Sequence, residues 1–167
     1  MKAESLINNN GLNALETLEK FLNKIGWDPQ KTEDEETFWV DFVDDNTPIR
    51  DAYFIIRVEF ERFLSYFNFK DQVNTEYRME VIEFITRANY SLVIGNFEFD
   101  YQESSIRFKS SIDFTGIPLS DNLIRNTIKS AMDTVEQYAD VLVDVIYGTK
   151  TAIEAIKIAE DQINYKQ

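Results

Sequence analysis

With 167 residues, 44% of them apolar, and 13 Phe and 8 Tyr set against a net charge of -13, the chain suits one packed, aromatic-rich domain rather than a disordered segment. That charge, with a pI near 4.4, repels phosphate backbones and anionic lipid; it argues against nucleic acid and membrane partners and favours basic ones. The absence of Cys and His removes disulfides, thiol catalysis, thiolate metal sites and the commonest general base. No apolar run reaches membrane-spanning length, and Met1 to Asn10 is polar without an apolar signal core, so a cytoplasmic location is expected.

Asn8 to Asn10 offer helix caps, and Leu12, Leu15, Leu18, Leu22 and Ile25 then recur at helical spacing before Gly26 stops the run. The spacing predicts a first helix with a narrow apolar stripe. From Asp28 to Asp51 the chain turns acidic, with Glu33 to Glu36 ahead of Phe38, Val40 and Phe42, whose alternation reads as a strand; Asp44 to Pro48 read as a turn. A calcium loop fails here, because the third ligand position counted from Asp44 falls on Pro48 and no central Gly follows. The acidic run reads instead as a solvated edge that discourages sheet-to-sheet pairing. Tyr53 to Phe69 is too long for one strand and is expected to fold back within Glu59 to Arg62, completing a three-stranded meander.

Asn74 or Thr75 is positioned to cap a second helix, with Met79, Ile82, Ile85, Ala88 and Leu92 as its apolar stripe and Val81 and Phe84 widening it. Asn89 reads as a cap or turn residue, or as a buried polar group satisfying loop backbone. Gly95 to Phe114 then reads as a hairpin. If Gln102 to Ser105 form the loop, Asp100 faces Arg107, Phe99 faces Phe108 and Glu98 faces Lys109, with charges on the wet side and aromatics on the dry side. Ser120 announces the longest element, in which Ile124, Ile128, Ala131, Val135, Tyr138, Leu142 and Val145 alternate in steps of four and three until Gly148. Such a helix is about 40 Å long at 1.5 Å per residue, more than a small sheet needs to cover. Its far half meets either the final helix, striped by Ala152, Ile156, Ala159 and Ile163 with Ile153 beside them, or a second copy of the chain.

Arg87, Ala88 and Asn89, then Leu92, Ile94 to Asp100, and Ile106 to Lys109 resemble the signature of the YbjN family of bacterial proteins. The order of elements, with Val135, Tyr138 and Ala139 on the long helix, fits the same resemblance over roughly Leu12 to Gly148. It implies an α+β fold, an antiparallel sheet of about five strands packed with helices, similar to type III secretion chaperones. Those are small, acidic, cytoplasmic, dimeric and non-enzymatic. The family is associated with sensory transduction regulation and has no catalytic residues to transfer. The expected division is a YbjN-like domain over 1–148 and an appended amphipathic helix over 149–167.

Three function classes follow. An enzyme built on paired carboxylates would draw on Asp41, Asp44, Asp45, Glu98 and Asp100, but Glu98 and Asp100 fall on the wet side of the alternation, where a perturbed catalytic pair is not expected. The scattered glycines make no phosphate loop, and no Ser has a His partner; no catalytic, cofactor-binding or metal-ligating residue is assigned. A purely structural homo-oligomer zipped through its long helices is the second class. The favoured class is a non-enzymatic, homodimeric binding module that holds a protein partner or basic peptide segment. By parity Trp39, Tyr53 and Ile55 share a sheet face opposite Phe38 and Phe42. With Ile153, Ile156 and Ile163 of the last helix they are the candidate partner contacts, against ordinary core packing as the plainer alternative.

Overall fold

The computed structural model describes residues 9–42, 44 and 46–166, with side chains described up to residue 161. Asn8 and Asp45 therefore lie outside the described residues. Helix α1 (Asn9–Lys24) is followed by strands β1 (Gln30–Lys31), β2 (Thr37–Asp41), β3 (Ile49–Arg57) and β4 (Arg62–Phe69), then helix α2 (Arg78–Ser91). The hairpin of β5 (Asn96–Asp100) and β6 (Ser105–Asp113) and helices α3 (Asp121–Ile146) and α4 (Ala152–Lys166) complete the chain. The strands form one antiparallel sheet in the order β1-β2-β3-β4-β6-β5. Phe38, Phe54, Ile56, Phe63, Phe67, Phe97 and Phe108 project from one face into a single core shared with all four helices.

The first helix lies where its pattern places it, but its buried side is rotated. Gly11, Ala14, Leu18, Phe21 and Leu22 are buried, whereas Leu12 and Ile25 face water. Gly11 is the reason: a Cβ there would sit 2.4 Å from the Val58 carbonyl oxygen, so only glycine lets α1 lie against the 3-10 turn Val58–Phe60. That turn is the fold-back between β3 and β4. It has no Gly or Asn because Glu61 takes the left-handed position, at φ 52°. The Glu61 carboxylate accepts from Asn10 Nδ2 at 3.0 Å and from the Gly116 N–H at 2.6 Å, which holds this unusual residue in place.

The second helix begins at Arg78 rather than at an Asn74 or Thr75 cap. Asn74 instead closes a turn by accepting from the Glu76 N–H at 3.1 Å. Its core face is Val81, Phe84, Ile85 and Ala88, while Met79 is 72% exposed. Two apolar stripes overlap in this sequence, and packing selects the one whose Phe84 meets Tyr138 of α3 edge-on at 6.2 Å.

The hairpin keeps the expected faces with a register two residues away: Phe97 faces Phe108, Glu98 faces Arg107 and Phe99 faces Ile106. The turn decides this. Asp100 accepts from the N–H groups of Gln102 and Glu103 at 2.7 and 3.1 Å, and Ser104 adopts φ 52°, so the loop is Tyr101 to Ser104. A shift of two preserves the strand parity and hence the dry face, but it turns Tyr101 out to 63% exposure.

Asn89 grips the backbone of the edge strand β5, as its reading as a backbone-satisfying group allowed. Its Nδ2 donates to the Phe97 carbonyl at 3.0 Å and its Oδ1 accepts from the Phe97 N–H at 2.8 Å, the pair of bonds a further strand would make. Asn89→Leu leaves both groups without these partners. It is expected to cost about 1–3 kcal/mol in urea unfolding, with exchange of the Phe97 amide accelerated ahead of those in β4.

Ser120 caps α3 by accepting from the Leu123 N–H at 3.3 Å, and the far half of α3 packs within the chain, against α2 and α4. Gly148, at φ 69°, ends it with the Tyr77 ring 2.2 Å from where a Cβ would be. The start of α4 is fastened twice. Thr151 and Glu154 cap each other's N–H groups, and Glu80 of α2 accepts from the Ala152 N–H at 2.8 Å.

Candidate functional site

Among the described residues the helices cover one face of the sheet, and none of them lies over the opposite face. Side chains on it follow from strand parity and register. Gln30, Trp39, Tyr53, Tyr66, Lys109 and Asn96 form one row across the six strands. Thr37, Ile55, Leu64 and Ser111 form a second beside it, and Asp41, Asp51, Asn68, Arg107 and Glu98 a third on the other side. The middle of this face is therefore apolar and aromatic, flanked by a charged row. Trp39, Tyr53, Ile55, Leu64 and Tyr66 are each half-buried.

The charged row is internally bonded. Asp51, 6% exposed, accepts from Asn68 Nδ2 at 2.5 Å and from Arg50 Nε at 2.7 Å. Arg107 Nε donates to Glu98 at 2.7 Å while its guanidinium lies over the Tyr66 ring at 4.3 Å, and Lys109 reaches Glu98 at 3.5 Å. Asn68, Glu98, Asp100 and Arg107 surround a hollow of about 300 Å³ at one end of the row. Burial pushes the Tyr53 hydroxyl pKa up, with the Asp51 charge adding to it. Burial also pushes Glu98 up, but the hydrogen bond and charge of Arg107 outweigh it, and Glu98 ends below its ordinary value.

Asp100 and Asp113 are likewise lowered, chiefly by backbone N–H groups they accept from. A carboxylate with a depressed folded pKa binds fewer protons folded than unfolded. Its contribution is present above the unfolded value and is lost as pH falls through the folded one. The urea midpoint is therefore expected to decline below about pH 4, the carboxylate range. Glu98→Gln should make that decline shallower; an unchanged slope would show that the Arg107 pair adds nothing to stability.

Of the residues the sequence nominated, Trp39, Tyr53 and Ile55 are brought together on the uncovered face. Trp39 and Tyr53 are direct cross-strand neighbours, and among the described residues no helix lies over them. On α4, Ile153 is 59% exposed, Ile156 is 8% exposed, and the Ile163 side chain lies outside the described residues. Sequence reasoning missed Leu64, Tyr66, Asp51 and Arg107. The alternation from Arg62 to Phe69 carried the signal for Leu64 and Tyr66 once the fold-back was placed. Asp41, Asp44 and Asp100 are exposed, and Glu98 is bonded to Arg107. Among the described residues no group of three or more acidic side chains is placed to hold a metal ion, and no helix is long and apolar enough to cross a membrane.

A helical layer on one face of an antiparallel sheet is a fold that the chain shares with solved chaperone structures. The chain matches, over 75% of its length and 92% of the other, a chain of the HopA1–SchA chaperone–effector complex at TM-score 0.52 and 13% identity. A chain of the ExsC–ExsE complex is similar at TM-score 0.50 and 16% identity, over 82% of this chain and 96% of that one. The crystal structure of YbjN from E. coli is similar at TM-score 0.59 and 11% identity, over 81% of this chain and 90% of that one. The chain belongs to the YbjN family, described as "Putative bacterial sensory transduction regulator", whose pattern spans residues 14–143. No curated protein sequence matches it.

Proposed function

We propose that the chain is a non-enzymatic, cytoplasmic binding module of chaperone or regulator type, which holds a basic, extended segment of another protein on the uncovered face of its sheet. The observation that carries this is the strip of Trp39, Tyr53, Ile55, Leu64 and Tyr66 opposite all four helices. An aromatic strip beside carboxylates suits a segment that alternates apolar and cationic side chains, and the net charge of -13 draws such segments in. The edges suit docking less well than the face. Asn89 occupies the outer backbone of β5, and β1 is a two-residue strand. Structural likeness to a chain of a chaperone–effector complex supports the same reading.

A homodimer is part of the proposal. Tyr90, Val93 and Ile94, at 94%, 97% and 50% exposure, gather large apolar side chains at the α2–β5 connection, away from the sheet strip. The YbjN-like body is taken to end at Gly148, with α4 as an appended element that tunes partner choice.

The test is a comparison of captures from native lysate. A partner held by the unaltered chain should be reduced about tenfold or more by Trp39→Asp, a change of about 1.4 kcal/mol, and kept by the exposed control Met79→Asp. Equal recovery with Trp39→Asp, its fold retained by circular dichroism, would remove the sheet face from the reading.

A further inference from the structure

Between the turn after β2 and the middle of α3 lies a half-open groove of about 450 Å³, on the helical side of the sheet and so distinct from the uncovered face. Its floor is apolar: Ile49, Phe67, Val135 and Ala139. Its rim is acidic, formed by Asp44, Glu136 and Asp140, and among the described residues no Lys or Arg lines it. Lys70, whose Nζ donates to the Asp44 carbonyl at 2.8 Å, is the cation at its margin. The Asp44 carboxylate is engaged with Asn46, at 2.9 Å to its N–H, and so serves the turn.

Along α3 the groove wall is a single line of Met132, Glu136 and Asp140, spaced by four residues and exposed. Glu136 and Asp140 are like charges at a spacing that disfavours a helix, and neither forms an ion pair among the described residues. Met132, 43% exposed, keeps an apolar side chain in the same line. An apolar floor asks for an apolar side chain, and two uncompensated carboxylates above it ask for cations on either side.

We infer that this groove is a second docking site, for a segment of a partner protein that presents an apolar side chain flanked by Lys or Arg. The inference rests on the protein-binding reading and adds to it a separate surface with its own partner chemistry. A half-open trough matches a chain segment passing through better than an enclosed small molecule.

The probe is a short fluorescein-labelled peptide of Lys, Leu and Ala in helical alternation, titrated by anisotropy. It is compared with one version carrying Glu for Lys and another carrying Gly for Leu. The unaltered chain should bind the first peptide about tenfold or more tightly than either comparison peptide. Glu136→Lys with Asp140→Lys should weaken the first about tenfold and favour the Glu version, and Met132→Lys should weaken the first alone. Both variants alter exposed positions, so circular dichroism should show the fold retained. Trp39→Asp should leave these affinities unchanged. A peptide affinity lost with Trp39→Asp but not with the α3 variants would overturn this groove while leaving the sheet-face reading intact. Equal binding of the Gly version, displacement by spermine at the same concentration as by unlabelled peptide, or no binding at all would overturn the inference outright.

Discussion

Phe97→Ala is expected to lower the unfolding free energy by about 3–5 kcal/mol, a large part of the total for a domain of this size. Phe97 is 2% exposed and sits where the sheet meets α2 and α3. Its ring lies 4.9 Å from Phe108 on β6, 5.9 Å from Tyr138 on α3 and 6.2 Å from Phe69 on β4, two of these contacts edge-on or nearly so. Its backbone is the one Asn89 holds from α2. The alanine variant therefore opens a cavity that no single neighbour can fill, because each neighbour is already fixed by another. Urea unfolding measures it directly, with Phe60→Ala as the comparison. Phe60 is 66% exposed on the 3-10 turn and should change the midpoint by about 0.5 kcal/mol or less. A loss below about 1 kcal/mol for Phe97 would mean that the hairpin is not clamped to the helices in this way.

The hairpin also shows what the sequence makes legible and what it does not. Alternation from Phe97 to Phe114 dictates which side chains are dry, since parity survives any even slip; opposite charges on the wet side were compatible with both registers. Choosing between them required the turn, where Asp100 gathers two N–H groups and Ser104 enters the left-handed region without a glycine to announce it. The same limit applies at Glu61, a non-glycine at positive φ held by contacts distant in sequence. Helix spans were legible from caps and stops such as Ser120, Gly26 and Gly148. Helix rotation was not, because α1 turns on the close approach of Gly11 to Val58 and α2 on the fit of Phe84 to Tyr138. The two-residue strand β1 has too few residues to show a period at all.

The candidate surface divides along the same line. Trp39, Tyr53 and Ile55 sharing a face follows from parity alone, and the register makes Trp39 and Tyr53 neighbours. That no helix covers them could not be read from the chain, since an aromatic strand face looks the same whether it meets a helix or water. The groove beside α3 was still less visible. Met132, Glu136 and Asp140 read as an ordinary solvated helix side until the turn of Asn46 to Pro48 is seen to stand across from them.

Ile156→Asp and Ile153→Asp are expected to separate by about 3–5 kcal/mol although they are one turn apart on α4, because only the first places an unpaired charge in the core. Ile156 is 8% exposed beside Ala152, Ala155 and Ala159, all at 0%, whereas Ile153 is 59% exposed and its variant should stay within about 0.5 kcal/mol. The loss for Ile156→Asp is limited by the free energy of undocking α4, since a helix that leaves the core takes the new charge with it. Undocking has its own cost here: the Ala152 N–H gives up Glu80 and the helix loses its packing on α2 and α3. Hydrogen exchange therefore reads the outcome better than the urea midpoint alone. Amides of α4 and of the α2 face it covers should exchange faster together in Ile156→Asp, while those of β4 and β6 keep their protection until global unfolding. A variant that keeps α4 protected and changes only the mass seen by light scattering would place Ile156 at an interface between copies of the chain instead.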